Sequence, residues 1–277
     1  MPSPFLHLGL ACEIAGACGI AGPDRPAFLF GSVAPDIDKF LGLAREATHF
    51  WDTRSDVSGT FKLLAAYPHL AAPGLTLPGR AFVAGYLCHL VADEQWTFTI
   101  YRPYFGRFSP YRASRDGAYL QWALHSVLED QLERSGRGAD RLIAELAGAQ
   151  GLPPWGRLLP FLGGDDWRRY HQTLLELARL APGEARHRYL VARTPAPRAA
   201  QAAPPGAPHA PDGEADGLAR FLQRLPALKE QVRRYVAPAA IREFERRAAE
   251  ESVALVRAYL GGRPFRPPLG TADPGDG

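Results

Sequence analysis

The stretch Gly79–Phe98, GRAFVAGYLCHLVADEQWTF, constrains this chain more than any other. It follows Pro78, which suits a first helical turn, and its run of apolar side chains is too long for a strand. A helix that is apolar nearly all round belongs in the middle of a core. Among its few polar side chains are His89 and Asp93, spaced i, i+4. That spacing places both on one helix face, one turn apart. A carboxylate buried without a partner costs several kcal/mol, roughly. A cation held jointly by the imidazole and the carboxylate would remove that cost.

The rest of the sequence reads as helices. Helical periodicity dominates and alternating patterns are scarce. The spacing predicts helices over about 7–18, 26–34, 57–67, 79–98, 116–134, 139–149, 165–181, 214–236 and 239–260. Asp165 or Asp166 is the expected N-cap of the helix that starts there. The fold expectation is all-α: a multi-helix bundle with a metal site between core helices. Residues 1–193 form the site-bearing helical domain. Residues 194–213, TPAPRAAQAAPPGAPHAPDG, read as a Pro/Ala-rich linker or loop. Residues 214–262 read as a C-terminal helical pair packing on the core, and 263–277 as a flexible tail.

Composition excludes some functions. A formal net charge of +3, from 32 basic and 29 acidic side chains, is too small for extended nucleic-acid binding. The three cysteines, Cys12, Cys18 and Cys88, make no disulfide framework. The N-terminal stretch lacks a basic start, and His7 and Glu13 interrupt its apolar run, so it reads as mature protein rather than a signal peptide. No stretch approaches the ~18 uninterrupted apolar residues of a membrane span. A cytoplasmic location is the expectation.

Further candidates line up along the chain. His125 and Glu129 repeat the i, i+4 pairing in the helix YLQWALHSVLEDQLE. Asp36 follows Pro35 in GSVAPDIDKF, and His49 lies in THF. His7 falls in the first helix. The loop YRPYFGRFSPYR, with Arg102, Arg107 and Arg112, offers cations and aromatics to a phosphate or a lipid. His69, His171, His187 and His209 have no ligand partner at useful spacing.

The order His7, Asp36, His49, His89–Asp93, His125–Glu129 resembles the bacterial zinc-dependent phospholipase C family, which is itself similar to the S1/P1-type nucleases. MPSPFLHL, GSVAPDI, THF and GYLCHLVADE carry the likeness, over about residues 3–133. The resemblance implies two or three zinc ions. Asp36, His49, His89 and Asp93 would hold a first one. Asp93 would bridge to a second, shared with His7. His125 and Glu129 would supply two ligands of the remaining one. Asp36 is also the implied catalytic general base. The implied function is hydrolysis of a phosphodiester by a zinc-bound hydroxide, on a phospholipid or another small phosphodiester, with room for peripheral membrane contact. The alternatives are a non-catalytic zinc-binding helical protein and an S1/P1-like nuclease. The sequence departs from the pattern where a further His should follow the His89–Asp93 pair: EQWTFTIY has none. The zinc of the His125–Glu129 site is then weak, absent, or completed by another carboxylate, for which Glu94, Asp38, Asp52 and Asp130 are the candidates. Pro2, if Met1 were removed, would be a candidate amine ligand five residues before His7.

Overall fold

The computed structural model describes residues 2–51, 57–71, 74–112, 114–136, 144–149, 155–193 and 215–263. The linker expected at 194–213, residues 139–143 of the helix expected at 139–149 and the tail beyond Arg263 lie outside them, while residues 144–147 of that helix are helical. Among the described residues there is no strand, and the fold is all-α.

The helices are α1 (Pro4–Ala17), α2 (Asp24–Gly31), α3 (Asp38–Leu41), α4 (Glu46–His49), α5 (Gly59–Ala66), α6 (Leu77–Trp96), α7 (Arg102–Phe105), α8 (Arg115–Arg134), α9 (Gly164–Ala178), α10 (Glu184–Arg193), α11 (Ala215–Tyr235) and α12 (Pro238–Leu260). Local chemistry sets many of their starts. The Thr76, Ser114 and Ser58 side chains accept from backbone N–H groups in the first turns of α6, α8 and α5. Helix α9 corrects the expected cap: Gly163 is its N-cap, and Asp166 accepts from the Gly163 N–H.

Helix α6 is the axis of the fold. It is buried from Ala81 to Thr97 on every side, as its apolar circumference demands. Helices α2 and α12 pack along it, and α1 lies against both α2 and α12. One cluster of buried side chains joins α1, α2, α6, α9 and the C-terminal half of α12. A second joins the end of α6 to α7, α8, α11 and the start of α12. The C-terminal pair, α11 and α12, thus supplies Phe221, Val232, Phe244 and Val256 to the interior.

The aromatic stretch after α6, read from the sequence as a loop, continues the chain as a π-helical turn over Thr97–Tyr101 and then α7. Between α2 and α5 the chain forms a 3-10 turn, Ala34–Ile37, and the two short helices α3 and α4, where the sequence suggests only a polar loop. Gly42 and Phe50 end those helices in left-handed conformations, φ 64° and 55°. Phe50 is the one described non-glycine residue with positive φ, and it directly follows His49.

Two glycines let α2 and α6 cross closely enough to share the site. A Cβ on Gly31 would stand 2.1 Å from the Phe82 carbonyl oxygen, and one on Gly85 only 1.9 Å from that of Phe28. Backbone cannot yield as a flexible side chain does. Gly85→Ala should therefore destabilise the protein by about 1–3 kcal/mol in chemical denaturation. Gly16→Ala, where no atom lies within 4 Å, should be neutral or slightly stabilising. Equal midpoints for the two variants would contradict the close crossing.

Candidate metal centre

Five polar side chains converge where α1, α6 and the 34–49 segment meet. Helix α1 brings His7, the 3-10 turn brings Asp36, α4 brings His49, and α6 brings His89 and Asp93. All five are buried, none more than 2% exposed. Helix α2 ends at Gly31, so the chain turns at once and sets Asp36 above the His89 face of α6.

The donor atoms are close. His49 Nε2 lies 3.1 Å from His89 Nε2, 3.3 Å from Asp93 Oδ2 and 3.6 Å from Asp36 Oδ1. His89 Nε2 lies 3.5 Å from Asp93 Oδ2 and 3.7 Å from Asp36 Oδ1. The His7 ring stacks on that of His89, with centroids 3.8 Å apart, and its Nε2 is 3.4 Å from Asp93 Oδ1. Two overlapping groups, His7–Asp36–His89 and His49–His89–Asp93, each bring three ligand atoms within 4.8 Å of one another. Either group can hold a metal ion.

Hydrogen bonding fixes which nitrogens are offered. His89 Nδ1 lies 2.8 Å from the Ser32 carbonyl oxygen, which can only accept. The Nδ1 therefore carries the proton, and in the neutral ring Nε2 presents its lone pair to the cluster. His49 Nε2 lies 3.0 Å from Arg45 Nη1, which can only donate. The other His49 nitrogen, Nδ1, is 2.9 Å from Thr48 Oγ1 and 3.7 Å from Asp38 Oδ2. With His49 accepting from Arg45, two Nε2 lone pairs face each other at 3.1 Å. That repulsion is relieved by a proton or by a metal cation.

Three ligand atoms make no well-formed hydrogen bond: His7 Nε2 and Asp93 Oδ1, which stand 3.4 Å apart, and Asp36 Oδ2. Buried polar atoms are nearly always paired, and three unsatisfied atoms within one cluster fit a bound cation. Two side chains meanwhile neutralise the carboxylates. Lys39 Nζ donates to Asp36 Oδ1 at 2.6 Å, and Arg45 Nη2 donates to Asp93 Oδ2.

The electrostatics follow. Burial pushes Asp36 and Asp93 upward, but Lys39 for the first, Arg45 for the second and the surrounding imidazoles hold both well below the usual carboxylate range. Burial and the neighbouring His89 press His7 down to about 4. Burial and Arg45 press on His49 as well, yet Asp38, Asp36 and Asp93 outweigh them and raise it. The cluster thus holds two ionised carboxylates and draws positive charge toward His49.

His125 and Glu129 are not brought to this cluster and belong to neither metal-capable group among the described residues. The His125 ring packs against Trp96. Glu129 accepts from Arg186 Nη1 at 3.0 Å, and the same guanidinium reaches Glu133 and covers the Phe5 ring. Of the residues considered for completing that pair, Glu94 accepts from the Ser58 hydroxyl and the Gly59 N–H, and burial pushes it up to about 7. Asp38 faces His49, Asp130 pairs with Lys229, and Asp52, like Met1, lies outside the described residues. Lys39, Arg45, Ser32 and Arg186 had no signal in the sequence: each is an ordinary residue until the fold sets it beside a carboxylate or an imidazole.

No family model matches the chain, and no curated protein or solved structure does either.

Metal binding here competes with protonation of the imidazole ligands, and the carboxylates around His49 raise it above the ordinary imidazole value, so affinity should rise with pH. Displacing one proton gives about a tenfold gain per pH unit below the imidazole pKa. Calorimetric zinc titrations at several pH values, in buffers of different ionisation enthalpy, should show proton release that fades at high pH. Affinity independent of pH would contradict the ligand set.

Proposed function

We propose that this chain is a zinc-dependent hydrolase of phosphodiester bonds whose centre is built on His7, Asp36, His49, His89 and Asp93. The single observation that carries this reading is the convergence of those five buried side chains, three of them with an atom that makes no well-formed hydrogen bond. The mixed imidazole and carboxylate set is one that zinc accepts. The phosphodiester as substrate class rests on the likeness of GSVAPDI, THF and GYLCHLVADE to the zinc-dependent phospholipase C family.

Bound zinc would supply Lewis acidity at neutral pH, acidifying water and drawing charge from a phosphoryl oxygen. The chain's own residues do the remaining work. Ser32 fixes the His89 tautomer, and Thr48 steadies His49. Asp36 stays ionised, with Oδ2 unpartnered, and so is able to orient a water and take its proton. Tyr86 donates to the Thr48 carbonyl oxygen, and Tyr170 donates to that of Val33 at 2.7 Å. Those two bonds tie the 33–49 segment to the core, which holds Asp36 and His49 in place.

A second reading, a non-catalytic zinc protein, is favoured by one observation: Arg186 occupies Glu129, so the His125–Glu129 pair adds no further ligands. Hydrolysis of bis(4-nitrophenyl) phosphate separates the two. The expected outcome is turnover that needs zinc, falls roughly 100-fold or more in Asp36→Asn, and is abolished in His89→Ala. Zinc bound by the wild type with no turnover would establish the second reading instead.

A further inference from the structure

The cations that neutralise the cluster pose a problem for any metal. Lys39 and Arg45 contribute two positive charges against the two negative charges of Asp36 and Asp93. Those two carboxylates are therefore balanced before a metal enters. A divalent ion added to that arrangement would meet a cation on each of its two carboxylates, on the oxygen beside the unpaired one. Either they hold the site permanently, or they leave when the ion arrives.

The side chains themselves are placed to leave. Asp36 and Asp93 are 0% and 2% exposed, whereas Lys39 is 33% and Arg45 19% exposed. Both cations reach in from a side that opens to solvent, on long flexible stems. Both come from the 34–49 segment, Lys39 from α3 and Arg45 from the residue that caps α4. Swinging outward by a rotamer change would leave each beside the site rather than remote from it. A metal on the two carboxylates, with both cations retained nearby, carries an excess of positive charge that the neighbouring Asp38 reduces but does not cancel. An anion is what that surplus selects. A guanidinium fork with an ammonium beside it suits the oxygens of a phosphoryl group.

We propose that Lys39 and Arg45 are exchangeable counter-ions, pairing with Asp36 and Asp93 in the metal-free protein and turning to bind the phosphoryl oxygens of the substrate once the metal is in place. This rests on the metal centre assigned above. It adds two substrate-binding residues and makes the positive rim of the site the determinant of selectivity for a phosphoryl anion.

The test uses the full chain, with zinc and inorganic phosphate as probes. Zinc is titrated calorimetrically into metal-free wild type, Lys39→Met and Arg45→Met, and phosphate is then titrated into each zinc-loaded protein. Each variant should bind zinc as tightly as wild type or more so, having lost a competitor, and should bind phosphate about tenfold more weakly. Arg45→Lys should recover only part of the phosphate affinity, since it restores the charge without the fork. Unchanged phosphate affinity in both Met variants, or zinc affinity falling tenfold in a variant whose circular dichroism and melting match wild type, would overturn the proposal. Should Arg45→Met fail to fold, Lys39→Met decides, because its side chain is one-third exposed. A wild type that binds no zinc would remove the metal centre and this inference together. A wild type that binds zinc and cleaves the diester, with both Met variants keeping phosphate affinity, would remove this inference alone.

Discussion

Two ionised carboxylates in the middle of a helical core are the constraint on which the rest of this structure depends. Asp36 and Asp93 are almost completely buried, and burial of an unpaired charge is among the costliest events in folding. The chain meets that cost with three imidazoles, an ammonium and a guanidinium, all within reach of the two side chains. Three atoms of the set still make no well-formed hydrogen bond. An arrangement so expensive and so incompletely satisfied is better explained by a cation it is built to receive than by stability.

The fold serves that arrangement. Helix α6 can be apolar on every side because α2, α12 and α1 cover it, and His89 and Asp93 can sit there because α4 and the 3-10 turn bring their partners. Gly31 and Gly85 permit the close crossing of α2 and α6, and α2 leads within a few residues into the 3-10 turn that carries Asp36. The backbone strain at Phe50 falls immediately after His49, where a sharp exit from α4 sends the chain away from the cluster. Helix termini thus carry Asp36 and His49, while helix interiors carry His7, His89 and Asp93.

Much of this was legible in the sequence. The long helix around His89 and Asp93 announced itself by an apolar pattern that no surface helix would show. The main helices begin and end within a few residues of where periodicity, Pro and Gly place them. His7, Asp36 and His49 stood out only through the family resemblance of the strings that hold them, since each alone reads as an ordinary residue. The short helices α3 and α4 were not legible, because four-residue helices carry no periodicity and exist here through tertiary contacts such as Tyr86 to Thr48. Nor was the fate of His125 and Glu129. Their i, i+4 spacing matches that of His89 and Asp93, but the partner that decides Glu129 is Arg186, 57 residues away on α10, a helix that periodicity did not reveal. Spacing along one helix shows which side chains share a face; it says nothing of what the opposing helix presents.

Anomalous diffraction at the zinc edge, from crystals of the protein purified in the presence of zinc, tests the central claim most directly. The account predicts at least one strong peak among these five side chains, about 2.0–2.1 Å from a histidine Nε2 and about 2.0–2.2 Å from a carboxylate oxygen of Asp36 or Asp93. It also predicts that Lys39 or Arg45 has moved off that carboxylate. A well-ordered cluster with no anomalous peak, and with both ion pairs in place as they are here, would contradict it and leave a buried polar network that the two cations alone neutralise.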